Sequence, residues 1–145
     1  MKDGKIFVDT NIIIYAYDVS AGNKYKKAQD VMNDLWNSGR GIISTQVLQE
    51  FFVNVTGKIE RPLDITTARA IVKDLLKWET VIVNGEVILE AVDIHREHKC
   101  SFWDSMIIAS AIEGGAGTLF SEDFSDKLTI KGLAINNPFV GHPEQ

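Results

Sequence analysis

Short runs that are almost wholly apolar alternate along the chain with longer stretches whose apolar residues recur every three or four positions. The short runs are Ile6-Phe7-Val8, Gly41-Ile42-Ile43, Thr80-Val81-Ile82-Val83 and Thr118-Leu119-Phe120. Runs of this kind suit strands buried on both faces of a sheet. Residues 12–17 predict a helical turn or two. Residues 24–36 predict an amphipathic helix with Ala28, Val31, Met32, Leu35 and Trp36 on one side, stopped at Ser38-Gly39. After the second strand, Ser44 or Thr45 can cap a helix whose apolar stripe is Val47, Leu48, Phe51, Phe52 and Val55. Residues 66–78 predict another, with Ala68, Ile71, Val72, Leu75 and Leu76 inward. Residues 86–99 read as helical with a face of Ile88, Ala91, Val92 and His95, and residues 101–113 as a very apolar helix. Gly114-Gly115-Ala116-Gly117 breaks it before the fourth strand, and Leu133-Ala134-Ile135 offers a fifth.

This alternation predicts an α/β fold: a three-layer sandwich with a mostly parallel central sheet of four to five strands. No repeat, low-complexity tract or linker divides the sequence, so residues 1–145 read as one domain. Ligands of such sheets bind outside the carboxyl ends of the strands. Two polar clusters fall there, Asp9-Thr10-Asn11 and Ser121-Glu122-Asp123.

Composition sharpens this only in part. Apolar residues make up 45% of the chain, enough for a core. No apolar run reaches the roughly 18 residues of a membrane span, and no long apolar stretch near Met1 suggests a secretory signal. A single cysteine, Cys100, fits a reducing cytoplasm. The net charge of -5 argues against broad electrostatic wrapping of nucleic acid. It leaves room for a nucleic-acid enzyme, because a carboxylate cluster that binds a cation is negative by design.

Four acids are candidates for such a cluster, each with a second reading. Asp9 follows the first strand directly and is also a good helix cap. Asp104 begins the very apolar helix, where an unpaired carboxylate is costly; Ser101-Phe102-Trp103-Asp104 equally matches a capping box, with Asp104 reaching back. Glu50 lies off its helix's apolar stripe, near Gln46 and Asn54, as a solvated glutamate would. Asp123 ends a strand in good turn chemistry. Together they suggest a site for Mg²⁺ or Mn²⁺, which prefer oxygen ligands, can polarise a phosphoryl oxygen and can lower the pKa of water.

Four segments in order resemble the PIN-domain family, and within it the VapC-type ribonuclease toxins: Phe7-Val8-Asp9-Thr10-Asn11-Ile12, Ser44-Thr45-Gln46-Val47-Leu48-Gln49-Glu50-Phe51, Phe102-Trp103-Asp104-Ser105-Met106-Ile107 and Leu119-Phe120-Ser121-Glu122-Asp123-Phe124. Asn137-Pro138-Phe139 resembles the family's ending. The resemblance covers essentially the whole chain. It implies that Asp9, Glu50, Asp104 and Asp123 converge on one Mg²⁺ or Mn²⁺ site, with Asp9, Asp104 and Asp123 as metal ligands and Glu50 orienting or deprotonating the water. Thr10, Asn11 and Ser121 would support them, with Glu122 behind; Asp126 would be an extra acid or mere surface. The implied reaction is endonucleolytic cleavage of single-stranded RNA, leaving a 5′-phosphate and a 3′-hydroxyl. The implied partners are a second copy of the chain in a homodimer and a small antitoxin protein.

Other features carry less. His95, His98 and Cys100 lie close together but lack the four soft or borderline ligands of a zinc site. The glycine-rich break lacks the Gly-Lys-Ser/Thr ending of a phosphate loop. Lys24, Lys26, Lys27, Lys58, Arg61 and Arg69 could meet RNA phosphates, although solvated surface charge is the default for each. Tyr15 and Tyr17 could stack a base or serve the core or a dimer. Two other functions stay open: a PIN-like RNA- or protein-binding module without turnover, and an aspartyl-nucleophile phosphatase. The latter commonly uses a second Asp where this chain has Asn11.

Overall fold

The computed structural model describes residues 4–124 and 128–140. Strands β1 (Ile6–Val8), β2 (Gly41–Ser44), β3 (Glu79–Val81), β4 (Thr118–Phe120), β5 (Thr129–Ile130) and β6 (Leu133–Asn136) form one sheet in the order β3-β2-β1-β4-β6-β5. Every pairing is parallel except β5 with β6. Helices α1 (Thr10–Ala16), α2 (Asn23–Ser38), α3 (Thr45–Gly57), α4 (Ile65–Leu75), α5 (Gly85–His98) and α6 (Phe102–Glu113) flank it. The fold is therefore the expected α/β sandwich, with a short sixth strand added. Strand β5 is only two residues long and pairs across a tight turn at Lys131-Gly132, too short for a periodicity to register.

The central strands are apolar because both faces are covered. Phe7, Val8, Ile42, Ile43 and Leu119 are fully buried. Helix α6 is buried almost all round, from Ser105 to Ala111. Among the described residues no helix is long and apolar enough to cross a membrane.

Three local readings change. Helix α4 stops at Leu75, so Leu76 faces solvent and Trp78 turns inward. Helix α5 buries Val87, Ala91 and Ile94, leaving Ile88, Val92 and His95 outside. Apolar residues surround most of that helix, so periodicity permits two overlapping faces and packing on α6 selects one. In the capping box, Ser101 Oγ accepts from the Asp104 N–H at 3.1 Å. Among the described residues the Asp104 carboxylate has no hydrogen bond that would complete the box.

Gly41 is required by space. A Cβ there would collide with the Trp78 ring, which is wedged edge-on against Trp36 with centroids 5.3 Å apart. Gly41→Ala should cost about 1–3 kcal/mol, the usual penalty of overpacking, read as a lower urea midpoint. An unchanged midpoint would mean that Trp78 swings aside freely.

Candidate active site

The order of the sheet positions the site. Chain connections leave β1 toward β2 on one side, while β4 pairs on its other side, so the crevice between β1 and β4 is the switch point where α/β sheets bind ligands. Asp9 follows β1 and Ser121 follows β4. The two are tied together: the Asp9 N–H donates to the Phe120 carbonyl at 3.0 Å, and Ser121 Oγ donates to Asp9 Oδ2 at 2.8 Å. Asp9 Oδ1 accepts from the Thr10 N–H at 2.7 Å, so Asp9 is also the cap of α1. Both readings of this residue hold at once.

Asp9, Glu50, Asp104 and Asp123 line one small cavity of about 120 Å³. Thr10, Asn11, Gln46, Trp103 and Ile107 complete its wall. Glu50 is half-buried, because α1 lies beside α3 and covers the helix side that periodicity alone leaves to solvent. Its Oε1 accepts from Thr10 Oγ1 at 2.5 Å, and its Oε2 from Gln46 Nε2 at 3.1 Å. Asp123 stands at the rim, its N–H donating to Ser121 Oγ at 3.1 Å. Ser121 therefore orients the Asp9 carboxylate and anchors the Asp123 backbone.

The electrostatics are those of crowded anions. Burial, followed by the charges of Asp123 and Glu50, raises the Asp9 carboxyl from 3.8 to about 7, against the hydrogen bonds from Ser121 and Thr10. The Asp123 carboxyl is also raised, by desolvation first and then by Asp104 and Glu122. Among the described residues no lysine, arginine or histidine lines the cavity.

The donor set fits a hard divalent cation. Every acid in the wall offers oxygen, and a further oxygen is spare: Gln46 Oε1 is buried without a hydrogen-bond partner. Its amide orientation is fixed by Glu50, which must receive Nε2. Among the described residues no three carboxylates already stand as a ready ligand set.

Glu122 lies outside the cavity wall, in a neighbouring cluster. It accepts from Tyr15 Oη at 2.5 Å and from Lys24 Nζ at 2.8 Å. Lys24 sits 5.0 Å above the Tyr15 ring, and Phe139 meets that ring edge-on. Lys24 and Tyr15 are thus committed to bracing the turn after β4 to α1 and α2. Tyr17 packs edge-on against Phe51, with centroids 5.6 Å apart. Asp126 lies outside the described residues. His95 Nδ1 meets the Cys100 carbonyl at 2.6 Å and closes the end of α5. Sequence reasoning singles out no role for three residues of the wall, Gln46, Trp103 and Ile107, which figure there only within their helices and the quoted segments.

The sequence matches the family model described as PIN domain over residues 6–125. The fold is similar to that of a toxin–antitoxin complex from Klebsiella pneumoniae, at 18% identity and a TM-score of 0.69, covering 92% of this chain and 98% of that one. It is also similar to VapC20 of Mycobacterium tuberculosis, a sarcin-ricin loop cleaving toxin, at 19% identity and a TM-score of 0.61, covering 83% and 92%. A DNA-bound VapBC from Salmonella typhimurium is 20% identical with a TM-score of 0.62, covering 93% and 98%. No curated protein matches the chain.

Proposed function

The chain belongs to the PIN-domain family, and from that premise we propose that it is a metal-dependent endoribonuclease that cleaves single-stranded RNA. The observation that carries this reading is the convergence of four carboxylates on one cavity at the β1–β4 switch point. Asp9, Asp104 and Asp123 would hold Mg²⁺ or Mn²⁺. Such an ion, when bound, polarises a phosphoryl oxygen and lowers the pKa of water. Ser121 holds the Asp9 carboxylate and ties the backbone of Asp123 beside it. Thr10 and Gln46 each hold one oxygen of Glu50, so its remaining lone pairs have a fixed direction from which to orient a water and take its proton. Hydrolysis forms a bond from water oxygen to phosphorus and breaks the bond from phosphorus to the 3′-oxygen. The products are a 5′-phosphate and a 3′-hydroxyl.

In biological terms the reading is a cytoplasmic, homodimeric toxin of a single PIN-like domain, restrained by a small antitoxin. Support comes from the toxin–antitoxin proteins whose fold it shares. An acidic cavity lined by no basic side chain among the described residues also suits an inserted arginine. The second reading, a PIN-like RNA- or protein-binding module without turnover, is favoured by the exposed Trp103 in the cavity wall. One assay separates them. Purified protein should cleave a labelled single-stranded RNA with Mg²⁺ or Mn²⁺, stop on chelation and leave 5′-phosphate ends. RNA binding with no cleavage under any divalent metal would establish the module instead.

A further inference from the structure

Trp103 is the second residue of α6, immediately before Asp104. It is 63% exposed although it is the largest side chain type in the chain, and its neighbour Phe102 holds it edge-on with centroids 5.3 Å apart. It forms part of the wall of the acidic cavity. An exposed aromatic face beside a site for phosphodiester chemistry is a platform on which a nucleobase can stack.

A second cavity adjoins the first. It is a groove of about 470 Å³ along α3, and it shares Thr10, Asn11 and Glu50 with the acidic cavity. Its size is in the range of roughly 300–1,000 Å³ common for small-ligand sites. Its own lining is Gln49, Val53, Asn54 and Lys58: two amides, an exposed apolar side chain and a cation. Lys58 makes no ion pair among the described residues, whereas Lys24 and Lys26 are held by Glu122 and Asp30. Among the described residues it is also the only cation lining either cavity. Trp103 borders the acidic cavity but not the groove, so the platform, the carboxylates and the groove form a continuous track with different chemistry in each part.

Resting on the ribonuclease reading, we infer that this track holds the single strand: one base stacks on Trp103, the scissile phosphate lies at the carboxylates, and a neighbouring nucleotide occupies the α3 groove with its phosphate on Lys58. The chain's charge makes the stacking contact important. With a net charge of -5 the surface repels RNA at long range. Affinity must therefore come from local contacts, and a base–aromatic stack does not depend on net charge. The track also favours single strands, because only an unpaired base exposes a face to an aromatic side chain.

The test uses a fluorescein-labelled, mixed-sequence single-stranded RNA of about twenty nucleotides with Mg²⁺. KM and kcat are read from initial rates, and Kd from anisotropy if no cleavage occurs. Trp103→Ala should raise KM by about fivefold or more, the weight of one stacked base, with the loss concentrated in KM. Trp103→Phe should restore most of it. Lys58→Ala should raise KM modestly and flatten its dependence on salt by about one phosphate contact, near 0.7 in the log–log slope. Trp36→Phe, at a partly exposed tryptophan outside both cavities, controls for loss of indole alone. Melting curves separate folding defects from binding defects. Failure of the wild type to cleave would defeat the ribonuclease reading, and the Kd comparison would still judge the track. Unchanged KM in Trp103→Ala, including the case in which only protein binding suffers, would overturn the inference.

Discussion

Asp9→Asn is expected to lose RNA cleavage by more than about a hundredfold while gaining stability in chelator. The first part follows from its position. Removing a group that merely supports a metal ligand costs about 10–100-fold, and Asp9 would be a ligand itself. The second part follows from burial. Asp9 is only 5% exposed, and ionising it beside Asp123 and Glu50 is unfavourable enough to raise its pKa to about 7. Asparagine has nearly the same shape and no charge. Its carbonyl can accept from the Thr10 N–H, its amide can donate to a rotated Ser121 hydroxyl, and it caps a helix as well as aspartate does. At pH 8 without divalent metal the variant should therefore melt at a higher temperature. The gain should be on the order of 1 kcal/mol or more, since each tenfold change in proton affinity is worth about 1.4 kcal/mol. Retained cleavage would remove Asp9 from the chemistry. Lost cleavage with a lower melting temperature would show a folding defect instead.

The two halves of this site differ in how far sequence reveals them. The β1–Asp9 and β4–Asp123 junctions are legible, because a buried strand is an unbroken apolar run and the first polar residue after it marks the carboxyl end of the sheet. Asp104 is legible as a charge opening an apolar helix. Glu50 is not legible from its own helix. Its partner Thr10 is 40 positions away, and only the packing of α1 against α3 turns its helix side into a cavity wall. Gln46 is hidden for the same reason. Trp103 is hidden because an isolated tryptophan in an apolar helix reads as core, and only the accessible surface distinguishes the two. The family resemblance supplies Glu50 where periodicity argues against it, and it is silent on the α3 groove.

Without divalent metal, thermal stability should fall as pH rises from about 4 to about 7, and added Mg²⁺ should flatten that fall. The Asp9 carboxyl has an ordinary value of 3.8 and titrates near 7 in the folded chain. Between those values the native state binds more protons than the unfolded state, so the free energy of unfolding decreases with pH. The contribution is fully present below the unfolded pKa and gone above the folded one. Asp123 shifts in the same direction and adds to the slope. Asp64 shifts downward, held by the Thr67 N–H and hydroxyl; its stabilisation is lost only as pH falls below the ordinary carboxylate range, outside this window. Metal binding requires the ionised carboxylates, so it releases protons and tightens as pH rises. A ligand that binds only the folded state adds about 2.7 kcal/mol at a hundred times its Kd, so the melting-temperature difference between Mg²⁺ and chelator should widen up to about pH 7 and then level off. Melting curves from about pH 4.5 to 8.5 in both conditions read this directly, and Asp9→Asn should reduce the chelator slope to the part owed to Asp123 and remove most of the Mg²⁺ effect. A metal-induced shift that is constant across pH would mean that the ion binds away from the β1–β4 crevice, and a chelator slope undiminished in Asp9→Asn would mean that the buried acid serves α1 as a cap alone.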